Sequence, residues 1–121
     1  MTGIVLVSHS GLIVQGLAEL LKEIAKDVPL TTAGGLETGD IGTTFDRIEA
    51  AVNANPADTL YVFYDLGSAK MNCEMVQETA DKTIYLSGAA MIEGAFVAAT
   101  LISAGAEQSV IDGQLKPLHV K

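Results

Sequence analysis

An alternation constrains this chain more than any other feature. Short runs that are apolar on both faces recur between stretches whose apolar residues repeat at helical spacing. Four such runs predict strands, at Ile4–Val7, Leu30–Ala33, Leu60–Tyr64 and Thr83–Leu86. The first and third leave neither face for water. Strands of that kind belong to parallel sheets covered by helices on each side. The second run, with Thr31 and Thr32, departs most from this pattern.

The intervening stretches predict helices. The first should run from about Leu12 to Lys26, with Ile13, Leu17, Leu20, Leu21 and Ile24 turned inward. A second starts near Thr43, with Phe45, Ile48 and Val52 as its apolar stripe. A third starts near Ser68, a good N-cap after Gly67, and carries Met71, Met75 and Val76. A fourth carries Ile92, Phe96, Val97 and Leu101. A last one spans Glu107 to Leu115, with Val110, Ile111 and Leu115 inward, and Pro117 limits it. The order β-α-β-α-β-α-β-α-α implies an α/β fold, an open and mostly parallel sheet with right-handed crossovers and helices on both faces. With 121 residues, the expectation is one domain over 1–121. Chemistry in such folds sits beyond the carboxyl ends of the strands, where strand order reverses.

Composition removes several function classes. A formal net charge of −8 disfavours nucleic acid and anionic membrane surfaces, and favours a basic protein partner. No apolar run approaches the roughly 18 residues of a membrane span. The start, Met1 to Ser8, lacks the basic flank and cleavage site of a signal peptide, so a cytoplasmic protein without membrane insertion is expected. Cys73 is the single cysteine and reads as a small apolar residue on a helix. The four methionines read as initiator and core filler. Two histidines, one near the tail, make a metal site improbable, and nothing calls for a cofactor.

The residues just after each strand carry the chemistry. They are Ser8-His9-Ser10-Gly11, then Gly34-Gly35 and a polar loop to Gly42-Thr43, then Asp65-Leu66-Gly67-Ser68, then Ser87-Gly88. One histidine, one aspartate, several hydroxyls and many glycines therefore gather at one sheet edge. Helix N-termini at Gly11, Thr43 and Ser68 would offer N–H groups to an anion. A neutral imidazole is a good nucleophile near pH 7 when one ring nitrogen is held and the other is free. Asp65 is the candidate to hold Nδ1 of His9, which leaves Nε2 outward to attack phosphorus. Ser8, Ser10, Gly11, Gly35, Gly42, Thr43, Gly67 and Ser68 are the candidates to support the equatorial phosphoryl oxygens. His119, after Pro117, reads as a solvated tail residue.

Other constellations fail on named residues. A G-x-S-x-G elbow is absent, because Leu6 stands two places before Ser8 and Lys70 two places after Ser68. No GxxxxGK[ST] or GxGxxG run exists. A receiver-type site would want an acidic pair where this chain has Ser8-His9.

In order and spacing, several segments resemble the IIA domains of the mannose class of the bacterial phosphotransferase system. They are Ile4-Val5-Leu6-Val7-Ser8-His9-Ser10, Ala33-Gly34-Gly35, Ile41-Gly42-Thr43, Asp65-Leu66-Gly67-Ser68-Ala69 and Ala89-Ala90-Met91-Ile92-Glu93-Gly94-Ala95. The resemblance covers nearly the whole chain and implies a flavodoxin-like three-layer sandwich. It also implies that His9 is phosphorylated at Nε2 and oriented by Asp65, with the phosphohistidine carrier HPr as donor, and that the protein is a homodimer. Transporter members tend to have Thr-His-Gly at the histidine and Gly-Gly-Ser-Pro after the aspartate. Ser8-His9-Ser10 and Gly67-Ser68-Ala69 are closer to the phosphotransfer subunits of dihydroxyacetone kinase. That resemblance implies ADP on the nucleotide-binding kinase subunit as acceptor. A IIB domain of a sugar transporter is the alternative. Some longer relatives append a phosphocarrier domain; with Lys121 as the last residue, a donor in trans is expected.

Overall fold

A computed structural model describes all 121 residues. Four strands, β1 (Thr2–Ser8), β2 (Leu30–Gly34), β3 (Thr59–Tyr64) and β4 (Thr83–Ser87), form one parallel sheet in the order β2-β1-β3-β4. Five helices alternate with them and follow them: α1 (Gly11–Ile24), α2 (Phe45–Ala54), α3 (Lys70–Thr79), α4 (Met91–Ser103) and α5 (Gln108–Leu115). The expected α/β sandwich is observed. Chain order reverses between β1 and β3, so the ends of these two strands mark the switch point.

The strands are buried on both faces because their residues alternate between two cores. Ile4, Leu6, Tyr61 and Phe63 pack under α1, α4 and α5. Val5, Val7, Leu60, Val62 and Tyr64 pack under α2 and α3. Each fully buried large side chain contributes roughly 1.5–3 kcal/mol.

The helices sit where the periodicity placed them, but three turn a different face inward. In α1 the buried residues are Val14, Leu17, Ala18 and Leu21, while Ile13, Leu20 and Ile24 stay exposed. In α3 the buried pair is Cys73 and Val76, with Met71 and Met75 outside. In α4 Met91, Gly94, Ala95, Ala98 and Ala99 face the sheet, and Ile92 and Phe96 do not. The reason in α4 is close approach: a Cβ on Gly94 would stand 2.9 Å from Ala89 Cβ and 3.1 Å from the Phe63 ring. Small residues win that face because large ones do not fit. In α5 Ile111 and Leu115 are buried as expected, and Val110 is exposed.

The helix starts also shift. The N-cap of α2 is Thr44, whose hydroxyl accepts from Arg47 N–H, rather than Thr43. Ser68 caps no helix; Gly67–Ala69 form a 3₁₀ turn ahead of α3. The tail after Pro117 is not loose, since His119 pairs antiparallel with Ala89 even though its side chain is exposed.

The opposite end of the sheet is closed by Asn55, which is 1% exposed. Its amide donates to the carbonyl of Ile4 (3.1 Å) and to Thr31 Oγ1 (3.3 Å), and its oxygen accepts from Ala57 N–H (3.0 Å). One side chain thus ties β1, β2 and the α2–β3 connection. Asn55→Ala leaves these groups without partners in the interior and is expected to cost about 2–3 kcal/mol, read as a lower urea midpoint. The strand ends near His9 should be unaffected below the transition.

Candidate functional site

His9 follows the end of β1 and Asp65 follows the end of β3, and these strands are hydrogen-bonded neighbours. The register alone brings the two residues together. His9 Nδ1 lies 2.9 Å from Asp65 Oδ1. A carboxylate only accepts, so Nδ1 carries the proton and Nε2 holds the lone pair. The side chains keep 19% and 15% of their surface exposed, respectively.

Three further groups determine where Asp65 points and how acidic it is. Its Oδ2 accepts from the Ser8 hydroxyl (2.7 Å) and from the His9 backbone N–H (3.1 Å). Its Oδ1 also accepts from Leu66 N–H (2.8 Å). The Ser8 oxygen in turn accepts from Ser10 N–H (3.0 Å), and Ser8 is fully buried. Burial pushes the Asp65 carboxyl up, but these bonds from Ser8, His9 and Leu66 outweigh it and hold the group below the ordinary carboxylate value. Asp65 therefore stays ionised at neutral pH.

Ser68 reaches the other side of the ring. Its hydroxyl lies 2.7 Å from His9 Nε2 and, with the proton on Nδ1, donates to it. The lone pair thus faces outward under one hydroxyl.

The expected support residues divide. Ser8, Ser68, His9 and Asp65 are in direct contact. Ser10 and Gly11 open α1 beside them, and Gly67 precedes Ser68 in its turn. Gly35, Gly42 and Thr43 do other work. Gly35, at φ +70°, donates its N–H to the Ser8 carbonyl, and Gly42 N–H donates to the His9 carbonyl (2.9 Å). These two bonds lace the β2–α2 loop to the histidine backbone, so they place His9 rather than offer donors to an anion. The Thr43 oxygens take the Asn72 amide. Leu66 N–H is a participant that composition did not signal. Cys73 lies under this edge, but burial, with Asp65 and Glu74 nearby, pushes its thiol up to about 12, so it is no nucleophile at neutral pH.

The surroundings are open. A cleft lined by Tyr61, Tyr85, Asp112 and His119 lies beside β4, away from His9. Around His9 stand the exposed apolar side chains of Leu12, Ile41, Leu66 and Met71, from α1, the β2–α2 loop, the residue after Asp65, and the start of α3. No helix is long and apolar enough to cross a membrane.

Comparison with known proteins finds relatives that span nearly the whole chain. The chain is 47% identical over 119 residues to a phosphotransferase subunit, DhaM, of phosphotransferase-dependent dihydroxyacetone kinase from Lactococcus lactis, covering 98% of this chain and 97% of that one. It is 46% identical to a phosphoryl donor subunit, also DhaM, of phosphoenolpyruvate-dependent dihydroxyacetone kinase 1 from Listeria innocua, over 98% of this chain and 96% of that one. A crystal structure described as that of an unknown function protein, EF1359, superimposes with a TM-score of 0.86 at 26% identity, covering 99% of this chain and 96% of that one. The family described as the PTS system fructose IIA component matches residues 3–111, and the chain belongs to this family, EIIA-man.

Proposed function

We propose that this protein is a phosphoryl relay, in which His9 takes a phosphoryl group from phospho-HPr and hands it to ADP held on the nucleotide-binding subunit of dihydroxyacetone kinase. The observation that carries the reading is the ring held at Nδ1 by Asp65 with Nε2 at the surface. In the uptake step the donor's N–P bond breaks and its electron pair returns to the donor imidazole. The Nε2 lone pair forms the new N–P bond, and the Nδ1 proton stays in its hydrogen bond to Asp65. The carboxylate offsets the imidazolium character that develops. The Ser68 hydroxyl, displaced from Nε2 by the incoming phosphorus, becomes a donor for a phosphoryl oxygen.

Two further features support transfer between proteins. The His9 ring keeps part of its surface exposed, and the exposed apolar side chains of Leu12, Ile41, Leu66 and Met71 belong to the elements that border it, as the apolar centre of a docking patch requires. The relatives from Lactococcus and Listeria are described as the phosphotransferase and phosphoryl donor subunits of such kinases. A homodimer fits the family resemblance.

The description of the matching family as a fructose IIA component favours a second reading, a IIA domain that feeds a IIB domain. The acceptor decides between them. Protein charged with phosphoenolpyruvate, enzyme I and HPr is mixed with the ADP-loaded kinase subunit or with a IIB domain, and the mass of the protein is followed. Discharge to ADP with formation of ATP is expected. Discharge only to the IIB domain would replace the first reading with the second. An uncharged wild type would remove both.

A further inference from the structure

The last four residues form a strap across the carboxyl end of β4. Ala90 N–H donates to the Leu118 carbonyl (2.8 Å), and the N–H groups of Val120 and Lys121 both donate to the Gly88 carbonyl (3.0 and 3.1 Å). The strap needs a glycine beneath it: a Cβ on Gly88 would stand 2.8 Å from the Lys121 oxygen and 3.1 Å from His119 Nε2. The Lys121 backbone is therefore fixed. From there the side chain runs back over the sheet end. Its Nζ lies 4.5 Å from the centroid of the Tyr64 ring and donates to the Tyr64 carbonyl. That carbonyl belongs to the peptide unit joined to Asp65. Burial lowers the pKa of this lysine, and the negative charge of Asp65 works against that shift.

A cation at this edge would favour the transfer electrostatically. A phosphoryl group brings about two negative charges to an imidazole that already touches a carboxylate. The groups in contact with His9 and Asp65 are otherwise neutral hydroxyls and backbone N–H. Arg47 is turned to the Gly34 carbonyl at the end of β2. Lys70, at the start of α3, is exposed like Lys121 but makes no side-chain hydrogen bond or ion pair, whereas Lys121 is held on the Tyr64 carbonyl.

We propose that Lys121 is a positioning residue of the phosphoryl site: its ammonium, held on the Tyr64 carbonyl beside Asp65, offsets the charge that accumulates as His9 is phosphorylated and so speeds uptake. The proposal rests on the relay reading of His9.

The test uses two donors, phospho-HPr and the small molecule phosphoramidate, which needs no docking surface. With phosphoramidate, the P–N bond breaks, its electron pair leaves with ammonia, and Nε2 forms the new N–P bond. Lys121→Gln is expected to slow uptake about five- to ten-fold with both donors at low salt, the size of one partly screened charge acting on a barrier. Lys121→Arg keeps the charge and should stay within about two-fold. The gap should narrow at 1 M salt, where the screening length is about 3 Å. Thermal melts monitor the strap. Wild-type protein that takes up no phosphoryl group would sink the relay reading itself. A wild type that is charged, with Lys121→Gln equally fast, would overturn this proposal alone. So would equal slowing in both variants together with lowered melting, which would make the strap purely structural.

Discussion

His9→Ala is expected to take up no phosphoryl group from phosphoenolpyruvate, enzyme I and HPr, under conditions in which the wild type gains the mass of one. The wild-type adduct should be labile in acid, as a phosphorus–nitrogen bond is, and stable in base. The only other histidine, His119, sits in the strap at the end of β4 with its Nε2 against Gly88, and no carboxylate holds its ring. It should not substitute. The variant should still fold. The backbone of residue 9 keeps its bonds to Asp65 and from Gly42, so the loss is two side-chain hydrogen bonds, to Asp65 and from Ser68, about 1–3 kcal/mol together. A phosphate retained by folded His9→Ala would place the modification elsewhere and end the relay reading.

Asp65→Asn should slow phosphorylation of His9 by about ten-fold or more, the scale of effects seen when the group that orients a catalytic imidazole is altered. The hydrogen-bond inventory explains why. Both oxygens of Asp65 accept two bonds each: Oδ1 from the His9 ring and Leu66, and Oδ2 from Ser8 and the His9 backbone. Asparagine offers one oxygen and one NH₂. If the NH₂ occupies the Oδ1 place, it faces Leu66 N–H and forces Nδ1 to accept, which moves the ring proton to Nε2 and removes the nucleophilic lone pair. If it occupies the Oδ2 place, it faces His9 N–H and a Ser8 oxygen that already accepts from Ser10. Either orientation loses tautomer control or leaves a donor unpaired. An unchanged rate would take Asp65 out of the mechanism.

The same substitution should show in acid. The folded-state pKa of Asp65 is depressed, so its carboxylate contributes stability above its unfolded value, about 3.9. That contribution is lost as the pH falls through the folded value. Asp65→Asn should therefore be less stable than wild type at neutral pH, and the difference should shrink below about pH 4. Urea midpoints measured across that range check it.

Strands apolar on both faces could be read directly from the chain, because burial on two sides leaves no polar position to alternate. Ile4–Val7 and Leu60–Tyr64 are strands for that reason, and a parallel sheet brings their carboxyl ends to one edge. The pairing of His9 with Asp65 needed only that β1 and β3 be neighbours. The helix faces were less legible. The first helix has apolar residues on two flanks, and Ile13, Leu20 and Ile24 are exposed while Leu17 and Leu21 between them are buried. Side-chain size misleads where a helix lies so close to the sheet that only glycine and alanine fit, as Gly94, Ala95 and Ala98 do against Phe63 and its neighbours.

Sequence by itself determined the α/β layering and the two residues that meet at the switch point, because both follow from local periodicity and strand polarity. Only tertiary structure decided how their contacts are shared out. Ser68 turns to Nε2 instead of capping a helix, Gly35 and Gly42 give their N–H groups to the loop around His9, and Lys121 reaches the peptide beside Asp65. Each contact joins elements whose separation along the chain carries no local signal, and packing alone determines which donor meets which acceptor.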